Sequence, residues 1–232
     1  MQYRLSRLVA GPFLRLLAPT KVIGAENIPA TGPAILASNH LSVVDSIFLP
    51  LMVERPVTFA AKSEYFTGTR LRDRAVGAYL RSTNQLSTDR TGARAAQVML
   101  EAAVDRLESG QLFGIYPEGT RSPDGRLYRG RTGVGYLALH SRAPVIPVAM
   151  IGTDHILPPG QRMPRPGRIE IRIGEPLTFE EYLGQPAGAR QRRAITDEVV
   201  RAIQKLSGQE FVPMYASVRK DELASQLSAG HS

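Results

Sequence analysis

Two short stretches, each following an apolar run, concentrate the residues able to do chemistry. In the first, ILASNHLSVVDSIFLP, Asn39, His40 and Asp45 come directly after the run. A continuous helix would turn residues five apart roughly 140° from each other, and a continuous strand would hold them about 17 Å apart. A strand ending near Ser38 and a helix starting near Ser42 instead fold the chain so that imidazole and carboxylate can meet. A carboxylate on one ring nitrogen fixes the tautomer and leaves the other nitrogen to take a proton from a hydroxyl, which is general-base catalysis without a protein nucleophile. Ser42-Val43-Val44-Asp45 also fits a capping box, in which Asp45 merely satisfies the start of a helix, so this segment alone carries both meanings.

The second stretch is LFGIYPEGTRSPDGR, where an apolar run ends in Pro117-Glu118-Gly119-Thr120-Arg121-Ser122. Gly119 lets the backbone approach a ligand closely, and Thr120, Arg121 and successive N–H groups supply donors to an anion, so a phosphate-binding turn is the direct inference. Glu118 is expected to orient Arg121 or to accept from a polyol; the plainer alternative is a solvated loop around the Asp124-Gly125 turn. Lys62, in AKSEYF, and Arg90, in QLSTDR, each follow a short apolar run and can converge on the same anion.

These residues need a scaffold. Apolar runs at residues 34–37, 57–60, 111–116, 145–150 and 169–173 read as strands, and residues 43–53, 70–80, 91–109, 132–140 and 190–206 as helices, the alternation of an α/β domain. Residues 1–20 place Leu5, Leu8, Val9, Phe13, Leu16 and Leu17 on one side of a helix and Arg4, Arg7 and Arg15 on the other, with Gly11-Pro12 expected to divide it. Such a segment either packs on its own domain or lies on an anionic membrane surface. Residues 21–210 then form one domain, and residues 211–232 a tail that frays from residue 221. At 232 residues and 43% hydrophobic the chain can bury a sizeable core, and no apolar run approaches the ~20 residues of a membrane span. The absence of cysteine excludes a disulfide scaffold, a thiolate metal site and a protein thioester. A net charge of +8 invites nucleic acid, an anionic membrane or a phosphorylated substrate; with 6% aromatics and no groove-reading motif, nucleic acid is the weakest of these.

Taken in this order, the pieces resemble the glycerolipid acyltransferases, specifically the 1-acyl-sn-glycerol-3-phosphate acyltransferases, over about residues 21–175. The NHxxxxD block is Asn39, His40 and Asp45; the Pro-Glu-Gly-Thr-Arg-Ser turn is residues 117–122; an apolar strand with a central proline is Val145-Ile146-Pro147-Val148-Ala149. The remaining block is met in part: Arg90 closes it, while Asn84 stands where Gly is usual and Ser87 where bulkier residues or Pro are common. Tyr116 stands where Phe is more frequent. The resemblance implies a single-domain glycerol-3-phosphate acyltransferase-like fold, a mixed twisted sheet flanked by helices with an N-terminal amphipathic anchor. It implies direct acyl transfer from acyl-CoA or acyl carrier protein to the sn-2 hydroxyl of a lysophospholipid, with no metal or further cofactor, on the cytoplasmic face of the cell membrane as a peripheral protein. In that scheme His40 is the base and Asp45 its orienting partner. Arg121, Lys62 and Arg90 clamp the acceptor phosphate, Glu118, Gly119 and Thr120 shape the glycerol-phosphate site, and N–H groups of residues 118–120 face the oxyanion. Competing readings are an acceptor with another head group (lyso-ornithine or glycosylated lipid), a hydrolase using Ser38 or Ser42, and a non-catalytic binder of anionic lipid.

Overall fold

A computed structural model describes residues 18–62, 85–88, 92–158, 163–182 and 188–229, together with positions 8, 11, 12, 14–16, 77 and 161. Among these residues the strands are β1 (Thr20–Ile23), β2 (Ala34–Ser38), β3 (Val57–Lys62), β4 (Leu86–Thr88), β5 (Leu112–Ile115), β6 (Leu127–Tyr128), β7 (Val145–Ile151), β8 (Ile169–Ile173) and β9 (Phe211–Val212). The α-helices are α1 (Asp45–Met52), α2 (Ala93–Glu108), α3 (Gly133–Ser141), α4 (Thr153–Ile156), α5 (Ala189–Ser207) and α6 (Ala216–Ala229). Seven strands form one sheet in the order β1-β8-β7-β2-β5-β3-β4, and β6 pairs with β9 apart from it. Within the large sheet every neighbouring pair is parallel except β7–β8. The expected α/β architecture with a mixed, helix-flanked sheet is therefore the one observed.

Both faces of the sheet are covered, which is why β2 is apolar from Ala34 to Ala37 and buried at every position through Ser38. Its side chains alternate between two cores: Ala34 and Leu36 pack with Phe48, Leu49, Leu51 and Met52 of α1, whereas Ile35 and Ala37 pack with Leu107 of α2, Leu137 of α3 and Val199 of α5. The central strands β2 and β5 run parallel with Ala37 opposite Ile115. Three residues beyond that pair the chain reaches His40 on one side and Glu118 on the other, so the register delivers both to the same, C-terminal edge of the sheet. Beside β5, Phe59 of β3 lies opposite Gly114, and Lys62 ends β3 at this same edge. In open α/β sheets this edge is where ligands bind.

The structure departs from the sequence reading at short or polar elements. β1, β4, β6 and β9 are two to four residues long and are defined by their partners rather than by any run of their own. The end of the chain, expected to fray, is helical from Ala216 to Ala229. Ala216 is fully buried, and Tyr215 has the Arg129 and Arg131 guanidinium groups over its ring at 5.5 and 5.2 Å. The helix expected over residues 70–80 lies outside the described residues except at position 77, which is helical and buried, and most of the expected N-terminal anchor lies outside them too. Of that segment Leu14 packs against the α1-side core, Arg15 Nε lies 3.4 Å from Met52 Sδ, and Leu8 and Leu16 are exposed. No helix among the described residues is long and apolar enough to cross a membrane.

Gly114 has a packing duty. A Cβ there would stand 2.2 Å from Cζ of Phe59, a ring that is 3% exposed. Gly114→Ala is expected to lower the unfolding free energy by about 1–3 kcal/mol through overpacking, and Phe59→Leu in the same chain to recover part of that loss. Urea unfolding of the single and double variants checks this; additive losses would mean the two residues do not share the space.

Candidate active site

His40 leaves the end of β2 and meets Asp45 at the first turn of α1. Its Nδ1 is 2.9 Å from Asp45 Oδ2, and the aspartate is fully buried while the imidazole side chain is 13% exposed. The same Oδ2 accepts the N–H groups of Leu41 and Ser42 at 2.8 Å each. Asp45 thus serves both meanings weighed from the sequence: it holds the turn before the helix and the ring of His40. Only half of a capping box forms, because the Ser42 hydroxyl donates to the Leu157 carbonyl at 2.8 Å. With Nδ1–H donated to Asp45, Nε2 is the ring nitrogen left for a substrate proton, and it has no partner among the described residues.

The backbone of His40 is held from the 117–122 turn. Its N–H donates to Glu118 Oε1 at 3.1 Å, and its carbonyl accepts the Ser122 N–H at 2.7 Å. The other oxygen of Glu118 accepts the Tyr128 N–H at 3.0 Å, and the residue is 1% exposed. This corrects the expectation that Glu118 steers Arg121 or reaches a polyol: both its oxygens are committed to main-chain donors inside the protein. Tyr116, three residues past Phe113 on the β5 exit, stacks on the His40 ring with centroids 3.9 Å apart and an interplanar angle of 10°. The Tyr116 hydroxyl meets Ser46 Oγ at 3.0 Å, and Phe59 also stacks on the tyrosine, with centroids 5.2 Å apart. Gly119 adopts φ 72°, and a Cβ there would stand 3.0 Å from Arg131 Cδ. Its N–H donates to the Tyr116 carbonyl at 2.9 Å, so it is not the oxyanion donor expected of it. The N–H groups of Thr120 and Arg121 have no partner among the described residues.

Asn39 extends the sheet with its side chain. Its Oδ1 accepts the Met150 N–H at 2.7 Å and its Nδ2 donates to the Met150 carbonyl at 2.9 Å, so the primary amide stands in for a backbone amide where β2 ends beside β7. A second Nδ2 bond, 2.7 Å, goes to Gln209. Ser38 and Ser42 donate their hydroxyls to carbonyls of Asn39 and Leu157, away from the imidazole, which disfavours a serine nucleophile. Among the remaining expected residues, Arg121 is half-buried and without an ion pair among the described residues, and Thr120 Oγ1 lies 2.6 Å from Lys220 Nζ of α6. Lys62 has its backbone at the same sheet edge, its side chain outside the described part; Arg90 lies outside the described residues, two positions beyond the end of β4. Sequence reasoning missed Tyr116 as a stacking partner and Lys220 altogether. No group of three metal-ligating side chains stands together among the described residues.

The base turn, the buried glutamate and the Thr-Arg turn all fall within residues 19–151, which match the family model described as Acyltransferase. The chain belongs to the acyltransferase family. Among curated members, the 1-acyl-sn-glycerol-3-phosphate acyltransferase of Bacillus subtilis is 27% identical over 83% of this chain and 90% of its own length. That of Limnanthes douglasii is 30% identical over 71% of this chain and 56% of its own length, so the chain spans little more than half of that relative. The crystal structure of the 1-acyl-sn-glycerophosphate (LPA) acyltransferase PlsC from Thermotoga maritima superposes with a TM-score of 0.70 at 30% identity, covering 88% of this chain and 79% of that one. The protein is thus an acyltransferase with the fold of that enzyme.

Burial pushes the Glu118 carboxyl up to about 7, and its two N–H donors only partly oppose this. The folded chain therefore keeps this proton from the ordinary value of 4.5 up to about 7, a range in which the unfolded chain has released it. Stability from this group is full below that window and is lost as pH rises through it. Glu118→Gln has no proton to lose. The stability difference between wild type and variant, measured by urea unfolding, is expected to move in the variant's favour between those pH values and to stay level above them; parallel profiles would show that the carboxyl titrates normally.

Proposed function

We propose that the chain transfers a fatty acyl group from acyl-CoA or acyl carrier protein to the free sn-2 hydroxyl of 1-acylglycerol-3-phosphate, giving phosphatidic acid for phospholipid synthesis. The observation that carries the reading is the His40–Asp45 pair, fixed at the C-terminal edge of the sheet with Nε2 left for a hydroxyl, beside an Arg121 that has no ion pair among the described residues on the adjoining turn. The names of the Bacillus, Limnanthes and Thermotoga relatives support the acceptor.

In this mechanism Asp45 holds His40 in the Nδ1–H tautomer and stabilises the imidazolium. Nε2 takes the acceptor hydroxyl proton as the oxygen attacks the thioester carbonyl. The tetrahedral intermediate collapses with loss of the thiolate, which receives that proton from the imidazolium, so no protein thiol or acyl-enzyme is involved. Tyr116 keeps the ring plane fixed by stacking. Thr120 and Arg121 N–H groups are the candidates for stabilising the oxyanion. Arg121, with Lys62 and Arg90 from the neighbouring strand ends, binds the acceptor phosphate, while Gly119 and Thr120 shape the turn beneath it. The acceptor is a bilayer lipid, so the enzyme works at the cytoplasmic membrane surface; exposed Leu8 and Leu16 in the basic N-terminal segment support an anchoring role for residues 1–20.

Thiol release from acyl-CoA with lysophosphatidate as acceptor tests the reading directly. His40→Ala is expected to reduce turnover by about 10²–10⁴-fold while leaving the unfolding transition in place. Substantial turnover by folded His40→Ala protein would remove the general-base assignment. Arg121→Ala is expected to raise KM for lysophosphatidate about tenfold or more and to affect monoacylglycerol far less; equal effects on both acceptors would remove the phosphate clamp.

A further inference from the structure

We propose that Lys220 of the C-terminal helix α6 is a second cation of the acceptor-phosphate site, facing Arg121 across Thr120. The inference rests on the acyl-transfer reading above and adds a residue that lies beyond the 19–151 family match.

Three observations bring it about. First, Lys220 Nζ reaches back across the chain to Thr120 Oγ1 at 2.6 Å, placing an ammonium on the turn that also pins His40. Ala216, one helical turn earlier, is fully buried, so Lys220 lies on the inward side of α6. Second, α6 is fastened in this position. Arg131 Nη2 donates to Ser217 Oγ at 3.2 Å, Arg219 Nε lies 3.8 Å from Asp124, and the Arg129 N–H donates to the Met214 carbonyl at 3.0 Å.

Third, the two cations stand close enough to act on each other. Neither Lys220 nor Arg121 forms an ion pair among the described residues. Asp124, an acid that α6 does touch, is engaged by Arg126 and Tyr128. Glu118 has both oxygens on backbone donors. Partial burial, then the like charge of Arg121, holds the Lys220 ammonium below the ordinary lysine range, and Glu118 works against them as the smallest influence. Two neighbouring cations with no ion pair among the described residues call for an anion. A phosphate monoester suits them, since a dianion accepts a planar guanidinium fork and a point-charge ammonium together.

The test uses the full chain, with Lys220→Ala, Lys220→Met and Lys220→Arg, in two arms. In the first, acyl transfer is followed by thiol release with lysophosphatidate and with monoacylglycerol of the same chain length. Lys220→Ala and Lys220→Met are expected to raise KM for lysophosphatidate about tenfold, with a smaller change in kcat, and to alter monoacylglycerol turnover less than twofold; Lys220→Arg recovers most of the loss. In the second, inorganic phosphate is added in thermal unfolding at constant ionic strength, with chloride as the reference. Phosphate is expected to raise the wild-type Tm and to do so much less in Lys220→Ala and Lys220→Met. An equal loss on both acceptors, an unchanged KM, or phosphate stabilisation that survives Lys220→Met would overturn the proposal. If the wild type transfers no acyl group to lysophosphatidate but keeps a Lys220-dependent phosphate effect, the acceptor assignment fails and the anion site stands.

Discussion

The buried carboxylate of Glu118 fixes the main chain on which the site depends. Taking a carboxylate out of water is costly, and among the described residues no side-chain cation is hydrogen-bonded to it; two backbone N–H groups, of His40 and Tyr128, take that place. One of them belongs to the residue proposed as the base. With the Ser122 N–H on the His40 carbonyl, the 117–122 turn holds the main chain of His40 on both sides of its Cα. The imidazole direction, the reach to Asp45 and the stacking of Tyr116 all start from a backbone that this turn sets in place.

That arrangement suits a reaction in which the protein contributes no nucleophile. A base that only moves a proton must be held in place, because its contribution comes from alignment with the hydroxyl and the carbonyl it attacks. Here the alignment is built from stiff parts: two central parallel strands, an aspartate at the first turn of a helix packed on one face of the sheet, and a ring stack running Phe59–Tyr116–His40. The glycine at position 114 leaves the space that the tip of the Phe59 ring occupies beside β5, so packing in the sheet interior reaches the imidazole through two aromatic rings.

Much of this could be read from the sequence where the signal is local. The central strands and their covering helices announce themselves as apolar runs and amphipathic stretches, and the meeting of His40 with Asp45 follows from a strand ending and a helix beginning within five residues. The partners of Glu118 could not be read that way. They depend on the register that sets Ala37 opposite Ile115, a long-range fact with no trace in residues 117–122. Asn39 carries the same lesson, since its amide is matched to Met150 across 111 residues. Helix α6 was hidden because its polar and apolar residues are poorly segregated; its content of Ala, Leu, Glu, Lys and Gln, all good helix formers, is the signal that favoured a helix over a tail. The short edge strands exist only as partners of longer ones.

The placement of α6 separates two things that many sites combine. His40, Asp45 and Glu118 sit at the ends of central sheet strands or in the helix that follows, where a change disturbs both cores. Lys220 sits on an outlying helix, reached through the small β6–β9 pair and fastened by polar and cation–π contacts near the surface. Substitutions there can accumulate without disturbing the sheet. On the proposed assignment, the share of head-group binding that Lys220 supplies can therefore change over generations, while the turn carrying Glu118, Thr120 and Arg121 stays as it is with the proton-transfer residues.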